Sequence, residues 1–273
     1  MTSEIRLNKY ISYSTKYSRR EADELIKNYK VKINNLTVTN LSTKVLADDT
    51  VSINNKKIFY NPNQEYTVIV YNKQKGELVS KTDPRNRQTV YNSIASKFSH
   101  FNPVGRLDYA SEGVLLLTDS VDIVNKLSNS NLERTYKLKL DGKISQDILD
   151  AMTKGMKLDD ATKGAHTHTK IVSMEFKPFV AYQILSNGDK FSKIKVILNE
   201  GKNRELRRFF GFFDLNILDL KRLDFGGISL NSLPSGKHRY LTRQEYRDLR
   251  YYIKQENKPK NRQINKDDVP HRT

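Results

Sequence analysis

The chain has 273 residues, with 48 Lys and Arg against 31 Asp and Glu, a formal net charge of +17 and no cysteine. Disulfides, thiolate nucleophiles and cysteine zinc sites are thereby excluded, no apolar stretch is long enough to span a bilayer, and the opening MTSEIRLNKY lacks the apolar core of a signal peptide. A reducing cytoplasm is the expected compartment, and nucleic acid, which concentrates phosphate charge, is the expected partner.

Leu7, Tyr10 and Ile11 recur near helical spacing, and Ser18 with Glu21 makes a capping box ahead of Ala22, Leu25 and Ile26 on one face of a second helix. Val31 and Ile33, an Asn34-Asn35 turn, then Leu36 and Val38 predict a hairpin. The pattern returns at Val51 to Ile53 and Lys56 to Ile58 around Asn54-Asn55. Lys9, Lys16, Arg19, Arg20 and Lys27 are interspersed along these helices, concentrated about the second helix start, where free amides and the helix dipole favour phosphate. The polar stretch Tyr60-Asn61-Pro62-Asn63-Gln64 marks a boundary, so residues 1–60 form a small module of their own.

Thr67 to Tyr71 (TVIVY) predicts a buried strand, Lys73-Gln74-Lys75-Gly76 a turn and Val90 to Phe98 a short helix. The central stretch is Pro103 to Ser120, PVGRLDYASEGVLLLTDS. Its apolar run Val114 to Leu117 is a strand, and Gly105, Arg106, Leu107 and Asp108 sit on a loop delivered to that strand's edge. Ile123, Val124 and Leu127 suggest a helix; Tyr136, Leu138 and Leu140 alternate with Lys137 and Lys139 in a half-buried strand; Ser145 caps a helix carrying Ile148, Leu149 and Met152. Strands follow at Tyr182 to Leu185 and Lys193 to Leu198. Then EGKNRELRRFFGFF opens a helix with Leu206, Phe209, Phe210 and Phe213 inward and Arg204, Arg207 and Arg208 crowding its first turns. Ile217 to Leu220 is a strand, and Thr242 with Glu245 is a second capping box. From Lys254 the composition turns polar, predicting a disordered basic tail over 254–273. Strands and helices without a regular βαβ period give an α+β domain over 61–253, on a mixed or antiparallel sheet with flanking helices.

His166 and His168 alternate as HTH, which exposed strand positions explain better than a metal, because no third ligand stands at a recognisable spacing. No Walker-type phosphate loop or glycine-flanked serine nucleophile is present. Arg106 beside Asp108 is, alone, an ordinary structural ion pair, although a guanidinium favours the charged form of a neighbouring carboxylate.

The company of that pair changes its meaning. GRLDYASEGVLLLTD closely resembles the central motif of the pseudouridine synthases, with Ser111 in place of the family's usual threonine. ERTYKLKL and EGKNRELRRFF match two further family segments in the expected order, and RLNKYIS…SRREADELIKNYKVKINN resembles the αL RNA-binding module. Together they place residues 5 to 253 nearest the branch that holds the small-subunit enzyme RsuA and the large-subunit enzymes B, E and F. The resemblance implies catalytic roles for Asp108, Tyr136 and Arg207, with Arg207 rather than Arg106 as the partner of Asp108. It implies RNA contacts at Arg106, Lys9, Arg19, Arg20, Lys202, Asn203, Arg204 and Arg208, and structural support from Leu206, Gly105 and Gly113. Glu205 departs from the glutamine that relatives generally carry. No metal, nucleotide or redox cofactor is implied. The expected substrate is a structured stem-loop of ribosomal RNA, most simply of the large subunit, and the expected state a monomer. A small-subunit enzyme and a non-enzymatic RNA-binding assembly factor are the alternatives.

Overall fold

The two Asn-Asn pairs show how local chemistry sets the N-terminal module. Asn34 and Asn35 have φ of +49° and +69°, and Asn54 and Asn55 +49° and +64°. These left-handed pairs suit two-residue hairpins, whose twist then matches the flanking strands. The computed structural model describes residues 4–15, 17–60, 65–166 and 169–256. Lys16, the linker residues Asn61 to Gln64, His168 and residues 257–273 of the expected tail lie outside the described residues.

In chain order come β1 (Ile5–Arg6), α1 (Leu7–Ser14), α2 (Arg19–Lys27), β2 (Val31–Ile33), β3 (Leu36–Thr37), β4 (Lys44–Val45), β5 (Val51–Ile53) and β6 (Lys56–Ile58). The expected capping box forms at α2: Ser18 Oγ accepts from Glu21 N at 3.2 Å and the Glu21 carboxylate from Ser18 N at 2.7 Å. β3, β2, β5 and β6 make one antiparallel sheet, and β1 pairs with β4. Leu7, Ile11, Ala22, Ile26, Val31, Val45, Val51 and Ile53 close a small core of their own. Full burial of a Val, Leu or Ile side chain there is worth about 1.5–3 kcal/mol.

The larger part holds β7 (Val68–Lys73), α3 (Val90–Ser93), β8 (Asn102–Pro103), β9 (Ser111–Thr118), α4 (Val121–Ser128), β10 (Arg134–Leu140), α5 (Gln146–Lys154), β11 (Met156–Leu158) and β12 (Met174–Phe176). It continues with β13 (Ala181–Asn187), β14 (Ser192–Leu198), α6 (Glu205–Phe212), β15 (Ile217–Phe225), β16 (Ile228–Ser229) and β17 (His238–Tyr240). One mixed sheet runs β13-β14-β10-β15-β9-β7-β17, with β8 on β9 and β16 on β15. Its pairs are antiparallel except β9 with β15, which is parallel. The helix expected over Val90 to Phe98 is shorter than its pattern: four residues of α3, then a 3-10 turn at Ser96–Phe98.

Register places the site. Tyr136 stands opposite Val196 and Arg222, Leu138 opposite Ile194 and Leu220, and Leu220 opposite Ser111. Side chains directly opposite share a face, so Tyr136, Leu138, Ile194, Val196, Leu220, Ser111, Leu115 and Leu117 all look to one side. There α5 and α6 pack through Ile148, Met152, Leu206, Phe209 and Phe210. Farther along the same side, Ile69, Tyr71, Leu115 and Leu117 pack with Leu107, Val90, Phe98 and Phe101. The two cores leave a cleft between them.

Among the described residues, 241–256 belong to a separate compact unit. Its described part carries α7 (Arg243–Glu256), opened by the second expected capping box: Thr242 N donates to Glu245 Oε2 at 2.7 Å and Glu245 N to Thr242 Oγ1 at 3.2 Å. Residues 254–256, expected in the tail, instead complete the last turn of this helix.

Candidate active site

Three segments far apart in the chain converge on the cleft. The loop before β9 brings Arg106, Leu107 and Asp108, β10 brings Tyr136, and the start of α6 brings Arg204 to Arg207. The cleft is also lined by Ser111, Leu198 and Leu220.

Asp108 is one-third exposed, and two guanidinium groups meet on one of its oxygens: Arg204 Nη1 and Arg207 Nε each donate to Oδ2 at 3.1 Å. Oδ1 takes no hydrogen bond from a described residue. Arg207 is fixed from behind, because its Nη1 donates to the Ile217 carbonyl at 3.1 Å and its Nη2 to Ser111 Oγ at 3.4 Å. The hydroxyl that Ser111 shares with the family's threonine thus helps orient the guanidinium. Burial lowers the Arg207 pKa and the Asp108 charge opposes that shift.

The loop itself is tied down by a residue that sequence reasoning passed over. Lys73, expected in a turn, is the last residue of β7 and has no exposed surface. Its ammonium donates to the carbonyls of Ser111 at 2.7 Å, Gln74 at 2.8 Å and Asp108 at 3.1 Å. Burial is the main cause lowering its pKa to about 8, against the opposing pull of Glu77, Asp108 and Glu112. The signal was present: strand alternation puts Lys73 on the same face as Ile69 and Tyr71, where a charge has to be satisfied. Gly113 anchors the other end. Its φ is +107° and an added Cβ would lie 2.1 Å from the Arg222 carbonyl, so only glycine admits the parallel pairing of β9 with β15.

The expected RNA contacts divide. Arg106 is exposed at the cleft and makes no hydrogen bond to a described residue. Asn203 is exposed, while Lys202 is half-buried, its Nζ bound to Glu200 Oε1 at 3.0 Å and to the Glu175 carbonyl. Arg204 is a partner of Asp108 rather than a free cation, and its Nε donates to the Gly164 carbonyl at 2.8 Å. Arg208 does not face RNA. It is 0 % exposed and donates to the carbonyls of Ala161 (2.6 Å), Asn203 (3.1 Å) and Ile171 (3.1 Å) and to Thr169 Oγ1 (2.8 Å). The helix turns it inward, one position round from Arg207, to hold the loop over α6. In the N-terminal module, Lys9 and Arg19 line a shallow hollow with Arg6 and Asn8, and Arg20 is exposed.

Glu205 is buried at the first turn of α6, beside Leu206, which is buried too. Its Oε2 accepts from Lys202 N at 3.0 Å, and its carboxyl also meets that of Glu200. Burial, then Glu200, raise the Glu205 pKa to about 8, while Glu200, next to Lys202 and Lys177, is lowered. Of the two carboxyl groups, Glu205 is therefore the one that holds its proton more readily.

The chain belongs to the RNA pseudouridylate synthase family, whose pattern matches residues 67–211, and an S4 domain matches residues 5–51. A protein of Helicobacter pylori strain J99, named as an uncharacterized RNA pseudouridine synthase, is 49% identical over 249 residues, 91% of this chain and 95% of that protein. The ribosomal large subunit pseudouridine synthase B of Bacillus subtilis is 32% identical over 247 residues, 90% of this chain and 95% of its own length. A crystal structure titled as a pseudouridylate synthase shares the fold at a TM-score of 0.61, 24% identity, 90% coverage of this chain and 99% of that one. The protein is thus an RNA pseudouridine synthase of the RsuA type, an isomerase with an N-terminal S4 RNA-binding domain. No helix among the described residues is long and apolar enough to cross a membrane.

Proposed function

We propose that the enzyme isomerises a uridine of ribosomal RNA, in the large subunit, with Asp108 as the catalytic carboxylate. The observation that carries this reading is the convergence of Arg204 and Arg207 on one oxygen of Asp108 inside a cleft walled by Tyr136. The reaction breaks the N1–C1′ bond of uridine and forms a C5–C1′ bond, while the C5 proton is lost and N1 gains one. The sugar carbon passes through a cation-like state that a carboxylate stabilises, as in glycoside cleavage. Two guanidinium groups on Oδ2 orient Asp108 and leave Oδ1 for the sugar. Tyr136 offers a ring to stack on the detached base and a hydroxyl to receive the C5 proton. A paired uridine has to leave its stack, and the exposed Arg106 is placed to hold the displaced backbone.

Residues 1–60 act as the substrate anchor, the catalytic domain spans 61–253, and a monomer working in ribosome assembly in the cytoplasm completes the reading. The Bacillus relative, named for the large subunit, favours that RNA over the small subunit's. The test is pseudouridine mapping of total ribosomal RNA from cells with and without the gene, complemented by wild type or Asp108→Asn. A single large-subunit site that returns with wild type and not with the variant is expected, with RNA affinity of the variant within about tenfold, or 1.4 kcal/mol. Modification by Asp108→Asn overturns the catalytic assignment, and a site in the small subunit overturns the substrate assignment.

A further inference from the structure

The back of the sheet, away from the cleft, carries a pattern that catalysis does not use. Lys137 on β10 stands directly opposite Lys195 on β14 and Lys221 on β15, and Lys139 stands opposite Lys193. Five lysines therefore occupy two adjacent rows on three neighbouring strands, a patch of roughly 10 by 7 Å from strand and residue spacing. Some are partly neutralised: Lys221 reaches Glu112 at 3.8 Å, and Lys139 stands across from Asp219 with its ammonium 4.5 Å from the Phe191 ring centre. Lys137, Lys193 and Lys195 have no acidic partner within ion-pair distance among the described residues. Elsewhere some surface lysines do, as in Lys126–Asp122, Lys154–Asp150 and Lys163–Asp214; what sets this patch apart is lysine facing lysine across neighbouring strands.

Like charges directly opposite in a sheet destabilise it, so a solvent-facing sheet gains nothing from lysine against lysine. Protection of a sheet edge is not the reason either. Edge lysines block pairing with another chain, but β14 and β10 are both paired on both sides, and the edge strand is β13. Repulsion retained on interior strands is relieved by a polyanion. Phe191, half-exposed beside Lys139, adds a ring on which an unpaired base can stack.

We propose that this back face is a second RNA surface, with Lys137, Lys193 and Lys195 on phosphates and Phe191 at its rim, engaging a segment remote from the uridine in the cleft. It rests on the ribosomal RNA reading above, because only a large folded RNA reaches both sides of the sheet at once. The partner is RNA rather than an acidic protein, since the centre of the patch, Lys137 between Lys195 and Lys221, is cationic and not apolar.

The test compares full-length wild type with Lys137→Gln/Lys193→Gln/Lys195→Gln and with a charge-matched control, Lys126→Gln/Lys154→Gln/Lys163→Gln, in binding to deproteinised bacterial 23S ribosomal RNA over a range of salt. Each lost phosphate contact lowers the log–log salt slope by about 0.7–0.9, so the back-face variant loses about 2 from its slope and the control keeps the wild-type value. Removing the like-charge pairs leaves the melting temperature unchanged or raised, which shows that the loss is not unfolding. The single Lys137→Gln gives about one-third of the effect should the triple variant melt early. An unchanged slope in a folded back-face variant overturns the inference, as does an equal fall in the control. If wild type binds deproteinised 16S ribosomal RNA more tightly than 23S in the same assay, the substrate reading fails instead, and the slopes still decide the back face.

Discussion

The two faces of one sheet treat charge in opposite ways. On the cleft side, Asp108 holds two arginines, Lys73 has three carbonyls, Arg208 four groups, and Glu205 a main-chain amide and a neighbouring carboxyl. On the far side, lysines confront lysines. Paired, buried charge costs desolvation and returns position, since removing either partner strands the other. Unpaired, exposed charge fixes nothing and attracts a polyanion at long range. Arginine and lysine counts along the sequence do not separate these uses; the face on which each residue lands does.

The comparison predicts that substitutions on the cleft side are costly where those on the back are not. The largest effect on stability falls at Arg208. Replacing it with methionine keeps much of the volume but leaves the Ala161, Ile171 and Asn203 carbonyls without their donor. A loss of about 3 kcal/mol is expected, because each buried unsatisfied group costs about 1–3 kcal/mol and some regain water. Urea denaturation measures it. Near-wild-type stability would mean that Arg208 is a surface cation after all and would break the comparison at its strongest point.

Lys73 comes next. Lys73→Met removes the donor to the Asp108 and Ser111 carbonyls, so a loss of about 2 kcal/mol is expected together with a fall in kcat. The wild-type pH dependence supplies a second reading. The folded pKa of Lys73 lies near 8, below its usual 10.5, so the folded state sheds this proton first. The unfolded chain then holds more protons between those values, and this group makes stability rise with pH across that window. A neutral amine has only two N–H donors for three carbonyls. Catalysis is therefore expected to decline above about pH 8 as the loop loses one tie, whereas the methionine variant lacks that decline. A variant with wild-type kcat shows that the lysine does not hold the loop.

Much of this was legible beforehand. Local chemistry announces itself: the Ser18–Glu21 and Thr242–Glu245 boxes, both Asn-Asn hairpins and the strand alternation of Tyr136, Leu138 and Leu140 form where their residues demand. So does the mixed α+β sheet. What stayed hidden depends on register and on helix rotation. Arg204, Arg207 and Arg208 look alike in the sequence, yet two reach Asp108 and the third turns into the protein. Lys73 seemed part of a turn because charge ordinarily ends a strand; its three acceptors come from segments that only the fold brings near.

The smallest effect sharpens the comparison most, because it changes one proton. Glu205→Gln is nearly isosteric and can still accept from Lys202 N and donate to Glu200. The folded pKa of Glu205 is raised from its usual 4.5 to about 8, so its contribution is fully present below pH 4.5 and is lost as pH climbs through about 8. Glu200, shifted the other way, loses its own contribution only as pH falls below its ordinary range. The variant is therefore expected to match wild type near the acid end and to melt higher at and above about pH 8. In the same range, ionisation of wild-type Glu205 adds a negative charge to a cleft that receives RNA. The wild-type KM is then expected to rise by less than about tenfold, under 1.4 kcal/mol, while that of the variant stays level. Parallel melting and KM profiles for the two proteins would show that Glu205 is already ionised at neutral pH, and that this carboxylate is not the neutral stand-in for glutamine that its burial makes it.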